Sequence, residues 1–267
     1  MSGVDETVVT IGSGNAGLHG VLHSPDEPVG GLVLCHPFAE EKKCAHRTLV
    51  DLARGCVEAG WAALHFDMRG CGDSPGNFGE ADLDDWRADI SAATEMLAGE
   101  LGRPVGLAGL RLGATLAAQV AGERDDIACL ALLEPVVNGE RYIKDNLRRS
   151  IIKTMLTKRD GGEQFEGATP AAGGEDAVDF DGYPVSAAMQ AQIKSANLLA
   201  AGPSYAGRTL VLSLGAGGEV SEELRALAET FAEGTALAVR QEPVWQRIGL
   251  MDATPTIEAV TGWLKEF

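Results

Sequence analysis

Short, nearly continuous apolar runs alternate along the chain with longer stretches of helical periodicity. Gly31-Leu32-Val33-Leu34-Cys35, Trp61 to Phe66, the run from Val105 to Gly109, Ile127 to Leu133, Thr209 to Leu214 and Ala236 to Arg240 carry the signature of buried strands. Between them, Leu83, Trp86, Ile90, Ala93 and Leu97 recur at helical spacing, and Ala45 to Glu58, Ala114 to Val120 and Thr256 to Phe267 also read as helices. Gly60 sits where a helix C-cap is expected, and Ser221 where a hydroxyl would cap a helix running through Phe231. Strands alternating with helices predict right-handed βαβ crossovers. The expected class is therefore α/β, a mostly parallel central sheet with helices on both faces.

Two stretches depart from this alternation. Near the start, Thr7 to Ile11 and Leu18 to His23 read as strands joined by Gly12-Ser13-Gly14-Asn15-Ala16-Gly17, which matches GxGxxG. A dinucleotide site would need a helix to open directly after that turn. A strand pattern ending in Pro25 follows instead, so the turn reads as a hairpin. After Glu134-Pro135, Tyr142 to Leu156 looks helical and carries Lys144, Arg148, Arg149 and Lys153, with Lys158 and Arg159 just beyond. Gly161 to Asp176 is rich in Gly, Ala and acid and reads as mobile. Asp179 to Leu199 holds an extended piece and a helix. The expected organisation is a core of residues 1–137 and 206–267 with a cap inserted at 138–205.

The formal net charge of −17 over 267 residues repels phosphate backbones and anionic membrane surfaces, so nucleic acid is not an expected partner. The basic cap helix is the contrasting surface, and a protein partner could dock there. Five cysteines, Cys35, Cys44, Cys56, Cys71 and Cys129, are scattered without CxxC spacing, which argues against a disulfide framework and a structural zinc site. No apolar run approaches the roughly 18 residues of a membrane span, and Met1 to Thr10 is polar and acidic. The expectation is a soluble, cytoplasmic protein without metal or cofactor.

The candidate chemistry centres on Val105-Gly106-Leu107-Ala108-Gly109-Leu110-Arg111-Leu112-Gly113-Ala114, which has the shape of a nucleophile elbow: a strand, a sharp Gly-x-Arg-x-Gly turn and an immediate helix. Its glycines are needed because strand and helix pass too closely for a Cβ. The apex normally holds a nucleophile, and here it holds Arg111, whose guanidinium has no lone pair to attack with.

In order of elements, this chain resembles the α/β-hydrolase superfamily. The resemblance rests on the His36-Pro37 turn after the third strand, the Asp67-x-Arg69-Gly70-x-Gly72-x-Ser74 loop, the elbow, and the place of the cap. More narrowly, His36-Pro37-Phe38-Ala39-Glu40-Glu41 with Arg47, the Gly70-Cys71-Gly72-Asp73-Ser74 loop and Gly109-Leu110-Arg111-Leu112-Gly113-Ala114 look like exosortase A system-associated hydrolase 2. In that family the Gly-Leu-Arg-Leu-Gly elbow is the typical form. The resemblance implies a hydrolase fold and a link to exopolysaccharide and protein-sorting systems, without a defined substrate.

Triad chemistry needs a nucleophile, a histidine and an acid, in the order Ser, acid, His along the chain. All five histidines, His19, His23, His36, His46 and His65, precede the elbow, and the loop after the last strand, Glu242 to Asp252, has none. Glu219 is the acid candidate in the loop after Thr209 to Leu214. His36 is a candidate general base at the mouth of the sheet, or a residue shaping its turn through a backbone hydrogen bond. Cys35 and His36 point to opposite faces and form a poor pair. Cys71 reads as packing, Ser74 as a turn hydroxyl and His65 as a core histidine. An esterase or deacylase with a rearranged site is the alternative to a non-catalytic protein.

Arg111 at a helix N-terminus offers something different. The N–H groups that follow it, beginning with Leu112, favour anions, and the Phe38-Ala39 turn should bring a former oxyanion-hole donor close. A carboxylate, phosphate or sulfate would meet a planar fork of donors. The competing reading is an internal ion pair with Glu40, Glu41 or Glu134, because an unpaired buried guanidinium is costly.

Overall fold

A computed structural model of the chain describes residues 5–12, 17–159, 177–202, 204–249 and 251–267, with the side chains of 150–159 outside the description. Residues 13–16 of the glycine-rich turn, the Gly161 to Asp176 segment and the side chains of Lys153, Lys158 and Arg159 therefore lie outside the described residues.

The strands are β1 (Asp5–Ile11), β2 (Leu18–Ser24), β3 (Gly30–Cys35), β4 (Trp61–Phe66), β5 (Val105–Leu110), β6 (Ile127–Leu133), β7 (Val178–Phe180), β8 (Tyr183–Val185), β9 (Arg208–Gly215) and β10 (Glu233–Arg240). The helices are α1 (Glu40–Glu58), α2 (Leu83–Leu101), α3 (Leu112–Glu123), α4 (Gly139–Arg159), α5 (Ala187–Ser195), α6 (Leu198–Ala201), α7 (Glu222–Thr230) and α8 (Thr254–Leu264). Eight strands form one sheet in the order β1-β2-β4-β3-β5-β6-β9-β10, parallel except where β2 pairs with β1 and β4. β7 and β8 make a separate antiparallel hairpin between α4 and α5.

Alternation along the strands separates two cores. Val33 and Cys35 face the layer that holds Trp86 and Ile90 of α2 and Leu116 of α3. Leu32 and Leu34 face the layer that holds Leu49 and Leu52 of α1 and Trp263 of α8. Both faces of the parallel strands are thus covered, which is why those strands are apolar throughout.

The register decides where the site lies. Cys35 pairs with Gly109, and Gly109 with Leu132, so the carboxyl ends of β3, β5 and β6 lie side by side. The turns that follow them, around Ala39, Arg111 and Glu134, consequently meet at one edge, where ligands of open parallel sheets bind.

Several boundaries differ from the sequence reading, and α3 and α4 open at Leu112 and Gly139 rather than Ala114 and Tyr142. α1 opens at Glu40 rather than Ala45, because Glu40 and Glu41 complement the positive end of the helix and Glu41 is buried despite its charge. β10 begins at Glu233 rather than Ala236; as an edge strand its first residues are exposed and carry no apolar signal. α8 starts at Thr254, with Pro255 in its first turn. All five cysteines are buried and no disulfide joins them. No helix among the described residues is long and apolar enough to cross a membrane.

Candidate functional site

Arg111 occupies the turn between β5 and α3 with φ 57° and ψ −123°. The glycines around it are sterically required. A Cβ on Gly109 would lie 2.5 Å from the Ala114 backbone, and one on Gly113 would lie 2.4 Å from the carbonyl oxygens of Cys35 and His36. The turn is fixed by the Arg111 N–H donating to Leu133 O at 3.0 Å, while the Arg111 carbonyl accepts from Ala114, Thr115 and Val136.

Four non-glycine residues among the described ones have positive φ: Ala39 (50°), Arg111 (57°), Glu134 (43°) and Asp181 (53°). Three of them stand at the ends of β3, β5 and β6. Each such residue costs about 1–3 kcal/mol and marks a place where the backbone is held for a purpose.

The Arg111 side chain lies between two aromatic rings. Its guanidinium carbon is 4.9 Å from the centre of the Trp245 ring and 5.6 Å from that of Tyr142. Nη1 donates to the Glu134 carbonyl at 3.3 Å, and Nε lies 3.7 Å from Oε1 of Glu41. Glu41, only 5% exposed, accepts from the Tyr142 hydroxyl at 3.0 Å through Oε2. Nη2 of Arg149 also lies 3.7 Å from Oε1 of Glu41. Two guanidiniums therefore share one buried carboxylate at ion-pair distance, and neither is close enough to donate to it. Oε1 of Glu41 and Nε of Arg111 have no hydrogen-bond partner among the described residues.

Burial pushes the Glu41 carboxyl above its ordinary range, while Arg111 and the Tyr142 hydroxyl pull it back. Burial likewise raises Glu134, against the pull of the Leu214 N–H and Arg111. The Glu134 carboxylate is turned to that N–H, at 2.7 Å. Arg111 opens onto a cleft of about 370 Å³ walled by α4, the start of α7 and the Trp245 loop. Arg141 and Glu223 form an ion pair on its wall.

The other sequence candidates fall in different places. Phe38 is buried among Phe78, Trp86, Tyr142 and Phe180, and Leu112 is buried in the first turn of α3. Glu40 does not reach Arg111; it points to Lys43, 3.4 Å away. Glu219 is exposed and lies off the Arg111 cleft, and its carbonyl accepts from Ser213. His36 is buried, with Nδ1 at 2.8 Å from Pro37 O and Nε2 accepting from the Met68 N–H at 3.3 Å. Burial lowers its pKa to about 4, so the ring is neutral and both nitrogens are engaged with backbone. Among the described residues no group of three or more His, Cys, Asp or Glu side chains is placed to hold a metal ion.

Sequence reasoning missed Trp245 and Tyr142 as neighbours of Arg111. The signal for Trp245 lay in the loop searched for a histidine: its one large aromatic side chain covers the elbow. The basic face expected on α4 is partly consumed within the chain. Lys144 pairs with Glu140, Arg141 with Glu223, and Arg149 turns to Glu41 and Asn146.

A family model described as "Serine aminopeptidase, S33" matches residues 26–160, half of the chain. Among solved structures, Est1E from Butyrivibrio proteoclasticus with ferulic acid bound is similar at TM-score 0.70 and 20% identity, over 97% of this chain and 98% of that one. The esterase domain of a Rhodothermus marinus protein is similar at TM-score 0.65 and 18% identity, over 98% of each chain. Proline iminopeptidase from Mycobacterium smegmatis is similar at TM-score 0.58 and 13% identity, over 98% of this chain and 97% of that one. Comparison with curated proteins finds no match. At these identities the likeness is one of fold.

Proposed function

The chain belongs to the serine aminopeptidase S33 family of α/β-hydrolases, and we propose that in this member the elbow has exchanged attack on a substrate for retention of a small anion. One observation carries the proposal: Arg111 and Arg149 both face the single carboxylate of Glu41. Two guanidiniums thus face one buried carboxylate at the base of the cleft, with Asp145 and the Arg141–Glu223 pair on its walls. Glu134 lies beside them with its carboxylate turned to the Leu214 N–H, and burial raises its pKa. The N-terminus of α3 adds its dipole to the same place.

Among the described residues, serine-hydrolase chemistry has no nucleophile at the elbow to carry it. Arg111 has no nucleophilic lone pair, and Trp245 fills the space over it from the loop where a histidine belongs. A rearranged hydrolase using His36 would need a free ring nitrogen, and both nitrogens are bound to backbone. The Arg111 elbow typical of exosortase A system-associated hydrolase 2 fits this reading, as does a ligand-responsive role in exopolysaccharide or protein-sorting systems.

The test is thermal denaturation with a panel of small carboxylates and inorganic phosphate. A ligand present at a hundred times its Kd adds about 2.7 kcal/mol to folding stability. Wild-type protein should gain melting temperature with at least one anion, and Arg111→Gln should not. Equal responses of the two proteins to every anion would refute the proposal.

A further inference from the structure

The walls of the cleft narrow what the anion can be. Resting on the anion-holding reading, we infer that the ligand is a hydroxylated monocarboxylate, a sugar acid in chemical class. The charge count sets the first term. At the base two guanidiniums face one carboxylate, while the walls carry the Asp145 carboxylate beside the Arg141–Glu223 pair, a balance that suits one negative charge on a ligand better than the two of phosphate. The planar guanidinium fork suits two carboxylate oxygens side by side.

The lining sets the second term. Beyond Arg111 the cleft presents Asp145 and Gln246, with Asn138 and Ser221, whose oxygens accept from the Arg141 and Leu224 N–H groups and which keep their own donors for a ligand. A hydroxylated body supplies both donors and acceptors to them. An aliphatic acid would strip their water and return nothing, which costs about 1–3 kcal/mol for each polar group left unpaired. An aromatic acid has no free ring to stack on, because the Arg111 guanidinium already lies over Trp245 and Tyr142. The volume of about 370 Å³ lies near the small end of the roughly 300–1,000 Å³ of ligand pockets, so the site takes a single small molecule and not a polymer strand.

Calorimetric titration of the full chain with named probes tests this. D-glucuronate, D-galacturonate and D-gluconate carry the charge on a hydroxylated body; glucose has the body alone, butyrate the charge alone. Phosphate is the dianion and ferulate the aromatic acid. At least one sugar acid should bind ten-fold or more tighter than butyrate, phosphate or ferulate, and glucose should not bind. Arg111→Gln should weaken the sugar acid about ten- to a hundred-fold, the loss of one charge-assisted hydrogen bond. Asp145→Ala, at an exposed position, should weaken the sugar acid and should not weaken butyrate. Binding of butyrate, phosphate or ferulate as tight as that of every sugar acid, and lost in Arg111→Gln, would overturn the ligand class and leave the anion site standing. Failure of every anion to bind wild-type protein would overturn both.

Discussion

Replacing Arg111 with methionine removes the guanidinium and keeps most of the side chain's length, which isolates its charge. At 3.7 Å from Glu41, a unit charge pair at an effective dielectric near 20 is worth about 4.5 kcal/mol. Removing one member of a buried pair costs about 3–5 kcal/mol because the survivor is left uncompensated. Glu41 would keep the Tyr142 hydroxyl and Arg149, the latter half-exposed and screened by water, so the loss belongs at the lower end, about 3 kcal/mol. The deficit must depend on pH. Without Arg111, burial holds the Glu41 pKa still further above its ordinary value of 4.5. A carboxyl with a raised folded pKa opposes folding while ionised and ceases to once protonated. The full loss therefore belongs to pH 8, and it shrinks as pH falls toward 5. There, about 1 kcal/mol remains for the lost contacts with Trp245 and Tyr142. Urea unfolding of wild type and Arg111→Met at both pH values measures this. A deficit equal at pH 8 and pH 5, or none at either, would refute the coupling between Arg111 and Glu41.

Four further outcomes follow from the same structure. His65 is buried, its Nε2 lacks a hydrogen-bond partner among the described residues, and burial with the nearby His46 takes its pKa from 6.5 to about 3. Its depressed pKa means stability is held above pH 6.5 and lost below it; at about 1.36 kcal/mol per pH unit, roughly 2 kcal/mol goes by pH 5. His65→Leu should spare that portion in urea unfolding at the two pH values. Gly113→Ala should cost about 3 kcal/mol or prevent folding, since its Cβ would meet two carbonyl oxygens; Gly99→Ala, in open space on α2, should stabilise by about 0.5–1 kcal/mol. Glu40→Gln should change the unfolding free energy from urea titration by less than about 0.5 kcal/mol, because that carboxylate meets Lys43 and not Arg111.

What the sequence discloses depends on how local the cause is. The parallel strands are legible because burial on both faces makes them apolar without interruption, and the elbow because Gly109 and Gly113 answer a contact between adjacent elements. The partner of Arg111 is less legible. Neighbouring helix residues point about 100° apart, so choosing Glu41 over Glu40 requires the phase of α1. Its first turn is charged and looks like loop, which hides that phase. Trp245 and Tyr142 reach Arg111 through the assembled fold, from the turn after β10 and from α4, and no spacing in the chain announces either contact. The same holds for His19, His23, His46 and His65. Scattered over β2, α1 and β4, they line one cavity of about 300 Å³ together with Asp67 and Asp73.

The central claim is that Arg111 holds charge at a position built for attack. Treating wild-type protein with a fluorophosphonate probe and weighing it intact by mass spectrometry tests that claim most directly. An unmodified mass is expected, because Arg111 occupies the elbow apex and no histidine among the described residues stands over it. A stoichiometric adduct mapped to one serine or cysteine, and lost when that residue is replaced by alanine, would contradict it.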